Sequence, residues 1–296
     1  MKLVHIGFGK TATTTLQSII FQDLCKEINI PYLDLEEFYN ISKNNNFKYS
    51  PLEKCNYKPL PNKFILSDES LIGLNWHVFQ IKKAFEINKS FFDKDCDILI
   101  TIRKPSDFFN SIYIQNVHNF NIVKEENFFI YKETKDPLDE NLKQYNLFDF
   151  SYQSFIDLYK SYYPKVHVVK YEDIKNLDFL EKIFLIKKDF KENLVQKFNK
   201  HKVNKSFSKF SVKIFFFLNN FFNLNSFERW VENKIVLNPK NLYNRIKNKI
   251  FAQFLIRRKL HNFDNINFFY SKYKINYKNL PINIIDLDNE YKKILT

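Results

Sequence analysis

Glycine is scarce in this chain, and its placement constrains the fold. Only three glycines occur among 296 residues, Gly7, Gly9 and Gly73. Two of them fall in one short run, Ile6-Gly-Phe-Gly-Lys-Thr-Ala-Thr-Thr-Thr15. A chain that otherwise avoids glycine keeps it where the backbone needs positive φ or where another group must approach closely. Lys2 to Ile6 reads as a short buried strand and Gly7 to Lys10 as a tight turn. The hydroxyl run then opens a helix whose Leu16, Ile19, Ile20 and Leu24 share one face. Thr13 or Thr14 is expected as its N-cap. Such a strand–loop–helix suits a phosphate-like anion, because loop N–H groups and the helix N-terminus supply partial positive charge and the lysine a full one. The plainer alternative is an ordinary turn with an incidental lysine.

Three further strands follow the same plan. Phe64 to Ser67 is apolar and delivers Asp68-Glu69-Ser70 to its carboxyl end, where open parallel sheets bind ligands. Asp95 to Ile102 is a central strand leading into Arg103-Lys-Pro-Ser-Asp, with a helix expected from Ser106 or Asp107 because Pro105 suits a helix start. Arg103 in the loop and Ser111 a turn or two into that helix can reach one anion, by a charge-assisted fork and a hydroxyl. Read without a ligand, Arg103 is a surface charge and Ser111 a buried helix hydroxyl. Val166 to Lys170 is another buried strand, ending in Tyr171-Glu-Asp-Ile174. A shorter strand and turn is expected over Pro31 to Phe38, a surface connection over Ile41 to Pro61, and a long excursion over Lys124 to Asn146 before helical spacing resumes between Phe148 and Tyr163. Strands alternating with helices imply an α/β fold.

The loop matches the Walker A pattern only at Gly9-Lys10-Thr11, since Val4 stands where the first glycine belongs. Lys10-Thr11-Ala12-Thr13-Thr14 instead resembles the 5′-phosphosulfate loop of the sulfotransferases that use 3′-phosphoadenosine 5′-phosphosulfate, which reads Lys-Thr-Gly/Ala-Thr-Thr. Arg103, Pro105, Asp107 and Ser111 are similar to that family's 3′-phosphate signature, and Tyr171-Glu172-Asp173 to its Tyr-Glu-Asp at a strand end. The three motifs occur in the family's order and cover the chain to about residue 175, or to 206 if the basic loop His201 to Ser206 is counted. The resemblance implies a P-loop-like three-layer core with a central, mainly parallel sheet flanked by helices. It implies that Gly9, Lys10, Thr11, Ala12, Thr13, Thr14 and Thr15 hold the 5′ end of the nucleotide, Arg103 and Ser111 the 3′-phosphate, and Tyr171 the adenine edge. Some members stack a tryptophan on adenine where this chain has Thr15. Ser67-Asp68-Glu69 resembles the Ser-x-Glu of bacterial, glycan-directed members, which makes Glu69 the general base and a saccharide the expected acceptor. His5 and His118 are reserves for that role. No metal is implied.

Two other readings compete. Phe64 to Glu69 resembles a Walker B strand, with Asp68 near magnesium and Glu69 activating water, as in a P-loop kinase or NTPase. Asp68 and Glu69 can equally be a solvated pair capping the helix expected near Leu71. A nucleotide- or glycan-binding module without chemistry also fits the motifs.

Composition adds bounds. The net charge of +13 favours anionic partners, although codon bias in an A/T-rich genome accounts for lysine and asparagine as readily. Cys25, Cys55 and Cys96 show no zinc-ligand spacing and suit buried thiols in a reducing cytoplasm. No signal peptide is expected. The aromatic run Val212 to Leu224 is broken by Lys213 and asparagines and is too short to span a bilayer, leaving at most peripheral membrane contact. A core over residues 1–206 and a basic, aromatic, mostly helical extension over 207–296 packed on it are expected, with helices near Ser208 to Phe222, Phe227 to Val236 and Leu242 to Leu260. Nucleic-acid binding by that extension has no motif behind it.

Overall fold

A computed structural model of the chain describes residues 1–33, 60–72, 78–118, 123–131, 133, 145–148, 150–200, 212–213, 216–217 and 273–295. Gly73, Cys55, the His201 to Ser206 loop, the Ile41 to Pro59 part of the connection and almost all of the expected C-terminal helices lie outside the described residues.

The fold is α/β, built on a five-stranded sheet in which every pairing is parallel. Its strands are β1 (Lys2–Gly7), β2 (Tyr32–Leu33), β3 (Phe64–Ser67), β4 (Asp97–Ile102) and, after a two-stranded ribbon of β5 (Phe129–Ile130) and β6 (Tyr145–Asn146), β7 (Val166–Lys170), in the order β2-β3-β1-β4-β7. β1, β3 and β7 fall where the apolar runs place them, and β2 takes two residues of the strand and turn expected over Pro31 to Phe38, whose residues from 34 on lie outside the described ones. β4 begins two residues later than expected, because Asp93 to Cys96 form a turn closed by the Cys96 N–H on the Asp93 carbonyl at 3.0 Å. Asp93 and Asp95 pair with Lys2 at 2.9 Å and 3.1 Å.

The strands are largely apolar because both faces of the sheet are covered. Leu3, Ile65, Leu99 and Val169 line one face and pack with Leu16, Ile20, Phe21 and Leu24 of the first helix and with Phe179, Leu180 and Leu194. The last three come from α7 (Asp178–Phe184) and α8 (Lys188–Lys200). Each such side chain contributes on the order of 1.5–3 kcal/mol on burial. The alternate residues turn to the other face. There α5 (Tyr152–Lys160) packs on β4 and β7 and is joined to α2 (Val78–Phe91) by Asn88, which donates to the Tyr159 hydroxyl at 2.8 Å.

The first helix, α1, is wound in three parts, Thr13–Thr15, a π-helical turn Leu16–Ile20, and Phe21–Ile28. Its start corrects the expected cap. Ala12, not Thr13 or Thr14, holds the N-cap position, in a left-handed conformation and without a side-chain cap bond. Thr13 cannot cap because its hydroxyl points to Glu69 and its methyl lies against Gly7. The Ser18 hydroxyl takes the Thr14 carbonyl at 2.7 Å, a side-chain competitor for the backbone ladder within the widened turn. Asn29 ends the helix at φ 52°, a conformation asparagine tolerates.

The helix after β4, α3 (Pro105–His118), starts at the proline itself. Glu69–Ile72 forms a single 3₁₀ turn where a helix near Leu71 was expected. Further helices among the described residues include α4 (Glu125–Phe128), α6 (Tyr171–Ile174) and α9 (Ile284–Lys293), the last within the stretch expected to be mostly helical but where no individual helix was expected.

The chain divides into two compact units. One comprises Met1–Phe108, Phe129–Val203 and Pro281–Thr296, so the last residues belong with the sheet. The other comprises Phe109–Phe128 and Asn204–Leu280. Within it the Asn110 side chain bonds both the Tyr273 carbonyl and the Ile275 N–H at 3.0 Å, and the Tyr273 hydroxyl bonds Glu125. Among the described residues no helix is long and apolar enough to cross a membrane.

Candidate functional site

Strand order decides where a ligand can sit. The chain leaves β1 toward β2 on one side and leaves β4 toward β7 on the other, so a crevice opens between the carboxyl ends of β1 and β4. Gly7 pairs with Thr101, and Ile102 with Lys170, which brings the Lys10 loop, Arg103 and Tyr171 to the same edge of the sheet. Ser67 pairs with His5, and Glu69 follows it onto that edge.

The loop after β1 is held from beneath by a chain of buried polar groups. His5 Nδ1 lies 2.6 Å from Ser67 Oγ, and its Nε2 lies 3.1 Å from Thr101 Oγ1. Thr101 Oγ1 is in turn 2.8 Å from Thr11 Oγ1, which donates to the Phe8 carbonyl at 2.5 Å. Burial pushes the His5 imidazole down to about 3, so it is neutral and locked between two hydroxyls. Gly7 is glycine for a steric reason. A Cβ there would stand 2.2 Å from Thr13 Cγ2 and 2.8 Å from Thr101 Oγ1. Above this layer the backbone takes two left-handed steps without glycine, Lys10 at φ 68° and Ala12 at φ 63°. Conformations of this kind cluster at ligand sites.

Five of the expected site residues converge here. Arg103 Nη1 donates to the Lys10 carbonyl at 3.1 Å, and its guanidinium lies 4.5 Å from the centre of the Tyr171 ring. Thr13 Oγ1 donates to Glu69 Oε2 at 3.1 Å. The Lys10 ammonium is lowered from its ordinary range first by burial, with Glu69 raising it and Arg103 lowering it further. Arg103 Nε is buried and has no hydrogen-bond partner among the described residues. A cationic pair with an orphaned donor at a switch-point crevice fits a multiply charged anion.

The other expected residues differ in what they present. Gly9 is buried in the loop, Thr14 is exposed, and the Thr15 side chain is buried with only 8% of its surface open, so Thr15 presents no face for adenine. The Thr11 hydroxyl is engaged in the interior, which leaves its backbone for a ligand. Tyr171 is 37% exposed, with Arg103 on one face of its ring. Ser111 lies half-buried on α3 and belongs to the second unit, as does His118, which ends that helix. His5 has neither nitrogen free for an acceptor.

Ser67 and Thr101 were missed as parts of the loop's support. Their signal is visible in hindsight, since each is a hydroxyl residue near the carboxyl end of a mostly apolar strand, Ser67 level with His5 and Thr101 level with Gly7. Among the described residues no group of three or more His, Cys, Asp or Glu is arranged to hold a metal ion. Compared with known proteins, the chain matches no family model, and no curated protein matches its sequence.

Proposed function

We propose that the chain is a sulfotransferase that moves a sulfuryl group from 3′-phosphoadenosine 5′-phosphosulfate to a hydroxyl or amine acceptor, with a saccharide as the favoured class. The observation that carries this reading is the bond from Arg103 to the Lys10 carbonyl. It joins two cationic loops at one edge of the sheet, which suits a nucleotide whose ribose carries both a 5′- and a 3′-phosphate.

The roles follow from charge. As the bond from sulfur to the 5′-phosphate oxygen breaks, negative charge grows on that phosphate. Lys10 and the amides of the Thr11 to Thr15 turn stabilise it, and donors so placed are each worth about 10²–10³ in rate. The acceptor oxygen bonds to sulfur, its proton passes to the Glu69 carboxylate, and the bisphosphate leaves with the bonding pair. Base catalysis of this kind contributes roughly 10²–10⁴. Thr13 fixes the Glu69 carboxylate by its hydrogen bond. Arg103 takes the 3′-phosphate, with the Tyr171 ring against one face of its guanidinium.

The test is calorimetry with adenosine 3′,5′-bisphosphate set against ATP plus magnesium. Micromolar binding of the bisphosphate without magnesium is expected. Magnesium-dependent ATP binding, with none of the bisphosphate, replaces this reading with a P-loop kinase or NTPase.

A further inference from the structure

The chain's last helix ties itself to the residues that flank Arg103 and Tyr171. α9 buries Ile284, Leu287 and the Tyr291 ring on one face, with Ile294 buried just beyond it. Its polar groups reach three segments at the carboxyl edge of the sheet. Asp288 Oδ1 accepts the Ser106 N–H at 3.0 Å, and its Oδ2 lies 3.4 Å from Lys104 Nζ. The Tyr291 hydroxyl donates to Glu172, the residue after Tyr171, and Lys170 Nζ lies 5.4 Å from the Tyr291 ring centre. Glu290 Oε1 accepts from Ser151 Oγ at 2.8 Å and from the Gln153 N–H at 3.1 Å, where α5 begins.

We propose that α9 is a strap that positions Arg103. Asp288 and Tyr291 hold the segments after β4 and β7 together, so that the guanidinium stays on Tyr171 and beside the Lys10 loop. By doing so they set the preference for a nucleotide bearing a second phosphate. The inference rests on the reading of this crevice as a bisphosphate site. Asp288 and Tyr291 act through Arg103 and touch no ligand themselves. The strap closes a long loop, since 182 positions separate Ser106 from Asp288.

The sign of the effect separates positioning from electrostatics. Removing the Asp288 carboxylate makes the surroundings of Arg103 more positive, so a purely electrostatic role predicts tighter anion binding in Asp288→Ala. A positioning role predicts weaker binding, and only of the ligand that uses Arg103. Tyr291→Phe changes no charge and keeps the buried ring, so α9 stays docked on its apolar face.

Calorimetry on the full chain, with adenosine 3′,5′-bisphosphate and adenosine 5′-monophosphate as probes, reads both variants. Asp288→Ala is expected to weaken the bisphosphate about tenfold, the scale of a lost hydrogen bond to a charged group, and the monophosphate less than about twofold. Tyr291→Phe shifts the same ratio in the same direction by a smaller factor. Tighter bisphosphate binding in Asp288→Ala, or equal losses for both nucleotides, overturns the strap. If the unaltered protein binds neither nucleotide, the bisphosphate reading falls by itself. Hydrogen exchange in the nucleotide-free protein then decides the strap. Faster exchange of the amides at Ser106 to Phe108 and Glu172 to Ile174 in both variants supports it, and unchanged protection overturns it.

Discussion

Arg103 reaches back across the β1–β4 crevice and donates from Nη1 to the Lys10 carbonyl at 3.1 Å, so the two cations after these neighbouring strands share one backbone contact. The arginine therefore both offers charge and holds the lysine loop in its left-handed course. Its replacement has two separable consequences. Arg103→Ala is expected to weaken adenosine 3′,5′-bisphosphate by roughly 30–100-fold, the scale of a lost charged hydrogen bond in a half-buried site. Loss of the loop anchor adds a smaller reduction common to every 5′-phosphate ligand. Calorimetry with the bisphosphate and the 5′-monophosphate measures both, and equal losses for the two remove Arg103 from the 3′-phosphate.

Lys10 and Glu69 divide binding from chemistry. Lys10→Ala is expected to lower transfer by about 10²–10³. Glu69→Gln is expected to lower it by about 10²–10⁴ while the bisphosphate affinity stays within about twofold, because the amide can still accept from Thr13. Rates with a saccharide acceptor panel, read beside calorimetry, check this pair. Full turnover in Glu69→Gln assigns the base elsewhere.

The left-handed residues of the loop make a different kind of prediction. Lys10 and Ala12 stand at φ 68° and 63°, where a Cβ costs roughly 1–2 kcal/mol and glycine none. Glycine loses more entropy on folding, by about 0.5–1 kcal/mol, so the net gain from Ala12→Gly is expected to be up to about 1.5 kcal/mol. Lys10→Gly gains similarly in urea unfolding yet loses anion binding. A strained lysine retained at the expense of stability is what a functional role predicts, and unchanged anion affinity in Lys10→Gly contradicts it.

Gly7 is a matter of space. Gly7→Ala drives a methyl group to within 2.2 Å of Thr13 Cγ2 and 2.8 Å of Thr101 Oγ1. Overpacking of this kind typically destabilises by about 1–3 kcal/mol. Thr13→Ser deletes the nearer clash, so the double variant Gly7→Ala/Thr13→Ser is expected to recover part of the loss. A double-mutant cycle in urea reports the coupling, and strict additivity rules out the contact as the cause.

His5 makes stability depend on pH. Its imidazole is held at about 3 by burial, against 6.5 for a free histidine. Between those values the unfolded chain binds a proton that the folded chain refuses. The His5 contribution is therefore complete above about pH 6.5 and is lost as pH falls toward 3, at up to about 1.4 kcal/mol per pH unit. Between pH 7 and 5 the unaltered protein is expected to lose about 2 kcal/mol more than His5→Gln. Parallel pH profiles for the two proteins reject this account.

Much of the frame was legible in local sequence. Apolar runs over Phe64–Ser67 and Val166–Lys170 coincide with their strands, Phe64–Ser67 because the whole strand is buried and Val166–Lys170 because Val168 and Val169 are buried within it. The scarcity of glycine located the loop, and Arg103 and Glu69 were placed correctly at strand ends because strand direction alone carries them there. The cap of α1 was not legible. Whether Thr13 caps its own helix depends on Glu69, a residue 56 positions away that competes for the same hydroxyl.

What the amino-acid order determined, then, is the set of βα units and the chemistry at their ends, since periodicity and turn residues act over a few positions. Which ends meet was decided by tertiary structure. The order β2-β3-β1-β4-β7 sets Lys10 beside Arg103, and α9 returns from the far end of the chain to hold the segments around that arginine. Strand order and long-range docking are set by how whole faces pack, and no local pattern encodes either.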